Sequence, residues 1–309
     1  MEAAEKRTQR GPSCMNRVKK GTNLSFNLLF ILLAALCILP VIFVFMISIS
    51  SEESIRQVGY SFIPVKFSGQ AYAFLWNEHE MILNALLISV SVTTIGTLIG
   101  LFLNTAMGYS LSRPNFRLKS FYTWVIFIPM LFGGGMVANY VVNANILNLR
   151  NTIWALVLPL AGSSYNIVIC KTFFKSTIPD SIIESARIDG ATQFRTYRSI
   201  VLPVSKPLLA TISLFMSFGY WNDWFQSSLY ISQKSLVSLQ ALLNNIMRSL
   251  SYIANNPTAG LSLQQYRNQM PSESVRMAIA IVIVIPIACA YPFFQKYFIS
   301  GLTIGAVKG

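Results

Sequence analysis

Charge is what this sequence has least of. Only 11% of its 309 residues are charged and 53% are hydrophobic, whereas soluble domains carry about a quarter charged residues. An ordinary soluble fold is therefore excluded, and the chain reads as an integral membrane protein. Ionisable groups at depth are scarcer still. The single histidine, His79, lies outside every long apolar run, and Asp223 is the sole acid inside one. That leaves no Ser/His/Asp triad, metal cluster or acid pair, so a membrane enzyme has no machinery here. No glycine-rich loop ending in Lys and Ser or Thr occurs. The GGG at residues 133–135 lacks the lysine, so energy from ATP has to come from another chain. Cys14, Cys37, Cys170 and Cys289 are scattered without a CxxC pair, which argues against a disulfide framework or a zinc site.

A net charge of +13 invites a nucleic-acid reading. About half of the signal sits in the N-terminal tail and one internal loop, and neither interleaves aromatic and basic residues as single-strand binders do. No nucleic acid is expected; both regions fit the flanks of membrane spans. With no alternating ten-residue pattern, helices are preferred over a barrel.

Six apolar runs are present, approximately residues 26–48, 82–104, 121–142, 152–174, 207–231 and 275–298. Each holds about 20 residues or more, enough to cross a hydrocarbon core of about 30 Å. The first is too long for the core of a cleaved signal peptide and no cleavage site follows, so it is expected to remain. Residues 1–22 form a basic tail, and residues 23–309 a single all-α membrane domain with no visible internal repeat. Lys and Arg crowd the tail, the loop with Arg113, Arg117 and Lys119, and the loop at residues 176–206, while residues 49–81 carry Glu52, Glu53, Glu78 and Glu80. Both termini are therefore expected on the cytoplasmic side, with residues 232–272 outside. That external segment contains the helical-looking LVSLQALLNNIMRSL, and is either an ordered lid or a floppy connection.

The loop at residues 176–206 carries a polar insert, ESARIDGATQFRTYRSIVLP, at residues 184–203. Pro179 suits the first turn of a short helix starting near Ile178, and Asp180 complements its positive end. Gly190, after Asp189, is placed to close it. Thr192 caps a second helix whose Phe194, Tyr197 and Val201 make an apolar stripe flanked by Arg187, Arg195 and Arg198. Pro203 and Pro207 end that helix and turn the chain. An exposed stripe on such a helix–glycine–helix device calls for a protein partner.

Glu184, Ser185 and Ala186, then three residues, Gly190, then nine, and Ile200-Val201-Leu202-Pro203 resemble the EAA loop of permease subunits of ABC importers; only Ser185 departs, standing where that pattern has alanine. The Ile-Asp-Gly-Ala around Gly190, the YWNDWF from Tyr220 and the ending FQKYFISGLTIGAVKG are similar to the carbohydrate-uptake branch, and more closely to its maltose-type second permease and oligosaccharide permeases. The resemblance implies that the insert is a coupling helix pair seated in a separate ATPase subunit. Glu184, Ser185, Ala186, Asp189, Gly190, Ile200, Leu202 and Pro203 would form or shape that contact, and the GAVKG end would also touch the ATPase pair. It also implies a second homologous permease chain, an extracytoplasmic solute-binding protein, a carbohydrate solute, the bilayer of the bacterial cytoplasmic membrane, and ATP with magnesium on the partner ATPase only.

For the solute path, Asp223 is costly in lipid and should face a cavity or a partner. Its neighbours Tyr220, Trp221, Asn222 and Trp224 offer aromatic faces and amide groups suited to sugars, or else make an interfacial aromatic belt. Asn139, Asn143 and Asn145 could serve similarly. The GGG at residues 133–135 either breaks its span to line a path or lets helices pack closely. Peptide, polyamine or anion import is the runner-up within the same superfamily.

Overall fold

The computed structural model describes residues 20–255 and 272–306. Most of the basic tail, the later part of the predicted external loop and the last three residues of the GAVKG end lie outside the described residues. Apart from one isolated bridge between Ser50 and Phe67, the described residues form helices and turns, as the all-α expectation requires.

Helix α1 (Lys20–Ser48) carries a strongly apolar 25-residue stretch from Leu24 to Ser48 that is largely exposed and becomes buried only at its end, at Ile47 and Ser48, and it packs along the last helix, α15 (Ser272–Ala306). Such a helix is stable only where lipid or another protein covers it. Two short helices follow, α2 (Glu52–Val58) and α3 (Gln70–Asn77). Ser51 caps α2 by accepting a hydrogen bond from the Ser54 amide at 3.3 Å.

The central element is α4 (His79–Ser112), 34 residues and so about 51 Å long. It exceeds the predicted span at both ends, and its extra turns beyond residue 104 reach the insert. One of its faces repeats every four residues as Gly96, Gly100, Asn104 and Gly108, all buried. The absent side chains let four neighbours approach: Tyr220 lies over Gly96, Met216 and the Ala161 carbonyl over Gly100, and Cys170 over Gly108. In lipid, where apolar side chains gain little by leaving their surroundings, such close packing is a main source of helix association.

Three of the predicted spans are broken, which corrects the expectation of single helices at residues 152–174 and 207–231 and, at residues 121–142, selects the break from the two readings given for the glycines at 133–135. The third is α5 (Lys119–Leu131), a turn through Gly133 and Gly134, and α6 (Gly135–Tyr140), which continues as a π-helical turn to Ile146. Gly135 has φ +78 and nothing stands within 4 Å of a side chain at residues 133–135, so these glycines break the helix rather than pack it. The fourth is α7 (Trp154–Ala161) and α8 (Ser164–Thr177), bent by 47° at Gly162 and Ser163. The fifth is α12 (Lys206–Asn222) and α13 (Phe225–Tyr230), separated at Asp223 and Trp224. Among the described residues, two helices suffice by length and composition to cross a membrane, and four do so when bent pairs are counted.

Between α8 and α12 lie α9 (Asp180–Ile188), α10 (Gln193–Thr196), a π-helical turn over Tyr197–Val201, and α11 (Leu202–Val204). The second helix of the insert turns by 85° into α12. In the predicted external loop, α14 (Leu239–Asn255) is ordered. Its Leu239, Leu242 and Leu243 pack with Ala71, Leu75, Trp221, Val275 and Ile279 into one core cluster. The other cluster, built on Tyr109, Phe174, Tyr197, Val201, Ile212 and Tyr220, joins α4, α7, α8, α12 and the insert.

Candidate functional site

Three sets of contacts fix the insert, the first within it and the other two to the bundle. Its turn is a Schellman closure: the Ala191 amide donates to the Ala186 carbonyl at 2.9 Å, with Gly190 at φ +79 in the left-handed region. A side chain there would meet no neighbour, so glycine is required for its conformation alone. The Thr192 hydroxyl then accepts from the Arg195 amide at 3.3 Å and caps the second helix, as its sequence implied.

The second contact is apolar. Tyr197 and Val201 are buried, the Tyr197 hydroxyl lies 2.7 Å from Thr105 Oγ1 on α4, and the ring tilts against Tyr109 at 5.5 Å. This corrects the exposed stripe expected from spacing: two of its three members face inward as the insert's own anchor, and Phe194 alone stays exposed. The outward apolar surface is instead made of Ile182, Ile188, Phe194 and Val204, with Ile188 87% exposed.

The third contact is Arg113, whose role spacing did not suggest. Its guanidinium donates to Asp180 Oδ1 at 2.9 Å, to the Phe174 carbonyl at 3.0 Å and to Ser112 Oγ at 3.0 Å, and lies over the Tyr109 ring at 5.3 Å. Arg113 thus joins the end of α4, the last turn of α8 and the start of α9. A sequence signal did exist, since it is the first cation after a 34-residue helix, but charge counting used it only for orientation. A groove of about 360 Å³ opens beside it, between residues 114–116 and α9, with Glu184 and Arg187 on its wall.

Of the predicted coupling residues, Glu184, Ser185, Asp189, Gly190 and Pro203 are exposed, Ile200 and Leu202 are half-buried, and Ala186 is buried. Pro179 and Pro203 do not act where expected. Pro179 is the residue before α9 rather than in its first turn, and Pro203 lies inside α11, so the chain turns at Ser205.

The aromatic segment from Tyr220 does not form one surface. Tyr220 is buried with its hydroxyl donating to the Val157 carbonyl at 2.7 Å, and Trp221 is buried in the other core cluster. Asn222 is exposed and donates to the Phe218 carbonyl at 3.0 Å; Trp224 is exposed and stacks under Arg248 at 5.3 Å. Asp223 accepts the Gln226 amide at 3.2 Å, capping the start of α13. The acid at depth is therefore satisfied by a broken helix end.

A cavity of about 330 Å³ lies between α7 and the segments that follow the breaks at residues 133–135 and 223–224, namely α6 with its π-helical turn and α13. Its wall includes Asn139, Asn143, Pro159, Phe225, Gln226 and Tyr230. Asn143 Nδ2 donates to the Tyr230 hydroxyl at 3.1 Å, that hydroxyl donates to the Asn139 carbonyl at 3.3 Å, and the Tyr230 ring stacks on Tyr140 at 5.7 Å. Gln226 Oε1 is buried without a partner. Asn139 and Asn143 were anticipated; Asn145 is exposed and does not line the cavity.

Asn104 was not anticipated. Fully buried, it donates to the Ala161 carbonyl at 2.8 Å and accepts the Ser163 amide at 3.0 Å. It replaces the ladder bonds that the bend between α7 and α8 removes. The four-residue spacing with three glycines was the available signal. Among the described residues there is no group of three His, Cys, Asp or Glu able to hold a metal ion.

A model of the family described as binding-protein-dependent transport system inner membrane component matches residues 96–304. The chain is 36% identical over 279 residues to the polygalacturonan/rhamnogalacturonan transport system permease protein YtcP of Bacillus subtilis, covering 90% of this chain and 95% of that one. It is 34% identical to protein LplC of the same organism, covering 92% and 94%. Among solved structures, a bacterial ABC transporter involved in the import of the acidic polysaccharide alginate contains a chain that superposes with a TM-score of 0.76 at 25% identity, covering 93% of this chain and 99% of that one.

Proposed function

The chain belongs to the family of binding-protein-dependent transport system inner membrane components, a transport subunit rather than an enzyme, and from that premise we propose that it is one of two permease chains in an ATP-driven importer of a sugar or oligosaccharide. The solute is delivered by an extracytoplasmic binding protein, both termini face the cytoplasm, and ATP with magnesium is bound by a separate ATPase. The observation that carries this reading is the insert: four apolar side chains, Ile182, Ile188, Phe194 and Val204, stand exposed on α9, α10 and α11, whose shape the Gly190 turn fixes and which Arg113 and Tyr197 hold to the bundle. Apolar groups displayed on a fixed, polar loop suit a protein cleft better than water.

In this reading the ATPase engages the exposed faces around Glu184, Ser185, Asp189 and Gly190. Ala186, Ile200, Leu202 and Pro203 shape the platform from behind or beside. Closure of the ATPase on ATP moves the platform, and the shared core of Tyr109, Phe174 and Tyr197 passes that movement to α4 and α8. The cavity between the broken helices is this chain's part of the solute path. Amide groups beside aromatic rings suit sugar hydroxyls and C–H faces, and the names of the relatives point to saccharides. The path does not use the aromatic segment as a unit, since Tyr220 and Trp221 are committed to packing; Asp223 bounds the path through Gln226, while Asn222 and Trp224 lie outside the cavity wall.

The test is gentle extraction of the tagged chain from its native membrane and identification of what remains attached. An ATPase and a second permease in comparable amounts are expected. Recovery of the chain alone, with the tag at either end and in milder detergent, would refute the docking role of the insert.

A further inference from the structure

We propose that the cavity between α6, α7 and α13 admits neutral saccharides and rejects uronic-acid oligosaccharides, so that this chain acts as a charge filter on its solute. The inference rests on the importer reading above.

Every residue on the cavity wall is uncharged: its polar groups are the amides of Asn139, Asn143 and Gln226 and the Tyr230 hydroxyl. An anionic sugar entering a space walled by protein at membrane depth loses water that a cation must replace. None is available. Arg248 is engaged with Trp224 and Arg150 reaches Ser232 Oγ at 3.5 Å, and neither lines the cavity. The charge that is bonded to the wall is of the wrong sign, because Asp223 accepts the backbone amide of Gln226. A hydroxyl, by contrast, can donate to the unpartnered Gln226 Oε1 and accept from an amide nitrogen, at no electrostatic cost. The volume, about 330 Å³, lies at the small end of ligand pockets, so one or two sugar rings fit against this wall at a time.

The experiment introduces Asn143→Cys into the assembled importer, with the native cysteines replaced, and follows modification of the new thiol by methyl and by sulfonatoethyl methanethiosulfonate. Rates are normalised to a free thiol in solution. The anionic reagent is expected to react roughly tenfold or more slowly than the neutral one, a ratio corresponding to a modest part of an ion's burial cost. Adding Gln226→Arg is expected to close most of that gap. Neutral oligosaccharides should slow the modification and oligogalacturonides should not. Equal rates for the two reagents, or equal protection by the two sugars, overturn the charge filter while leaving sugar import standing. Discrimination between reagents with protection by neither sugar refutes the saccharide reading of the cavity, and the filter with it.

Discussion

Replacing Gly108 with alanine tests whether the glycine face of α4 is what brings the broken spans together. A side chain there lands on Cys170 Cβ and 3.0 Å from the Lys171 amide nitrogen. Neither can rotate away, so α4 and α8 must separate by about 1 Å to restore ordinary carbon contacts of about 3.5–4.0 Å. Overpacking of this kind costs about 1–3 kcal/mol. The assay is unfolding by added SDS from a mild-detergent micelle, comparing midpoints for Gly108→Ala, Gly100→Ala and Gly134→Ala. Gly100→Ala should cost less, because the Met216 methyl can swing aside, although the Ala161 carbonyl at 2.9 Å cannot. Gly134 has φ −67 and no neighbour within 4 Å, so its alanine variant should stay within about 0.5 kcal/mol of the parent. If Gly134→Ala destabilises as much as Gly108→Ala, close approach at the glycines is not what holds the bundle.

Asn104→Leu leaves the Ala161 carbonyl and Ser163 amide unpaired, and by the same SDS titration should cost about 1–4 kcal/mol, the range set by average interhelical bonds in membranes and by orphaned buried groups. Gly190→Val forces a β-branched residue to φ +79, at about 1–3 kcal/mol of local strain; ATP turnover by the complex should persist while solute uptake falls, and normal uptake would remove the turn from the coupling path. Arg113→Ala should likewise lower uptake per ATP hydrolysed, with Arg113→Lys restoring only part, because one ammonium cannot serve Asp180, Ser112 and the Phe174 carbonyl together. Tyr60 donates to Glu273 at 2.8 Å, a bond that raises its pKa above the usual 10.0. The stabilising form is the neutral phenol, so its contribution is complete below that value and disappears as pH rises through the raised one. A pH series of unfolding midpoints should show this loss in the parent and not in Tyr60→Phe.

The insert was readable residue by residue because its signals are local: Thr192 and Gly190 each act on backbone within three or four positions, and both do in the structure what their chemistry implies. The membrane character was readable from composition for the same reason that most of α1 is exposed, since lipid asks nothing of pattern. What was misread depends on partners distant in sequence. Tyr197 and Val201 have the spacing of an exposed stripe, and only the tertiary fold, with Thr105 and Tyr109 arriving from α4, turns that stripe inward. Apolar runs at residues 152–174 and 207–231 satisfy a length test whether or not their hydrogen-bond ladders are continuous, so their breaks were hidden, whereas the glycines at residues 133–135 offered theirs as one of two readings. Asp223 looked like a solute ligand because a lone acid in an apolar run is expensive, and the backbone amide that satisfies it exists only once α13 starts afresh. Asn104 stands in plain view at the third place of a four-residue repeat, but its two partners lie about 57–59 positions away.

The breaks in the three interrupted spans have a mechanical corollary. Counted from the end that carries the insert, α5, α8 and α12 hold 13, 14 and 17 residues, or about 20, 21 and 26 Å, so the breaks fall within about one helical turn of a common height. A rod notched at one height bends there first. Below that height the chain is a stiff block, riveted by the glycine face and by Arg113; above it, short segments are joined by single strands of backbone. Asn104 spans the seam as a strap across the joint of α7 and α8. A torque applied to the platform would bend these three spans first at their breaks, and the 330 Å³ cavity is lined by segments just beyond two of them.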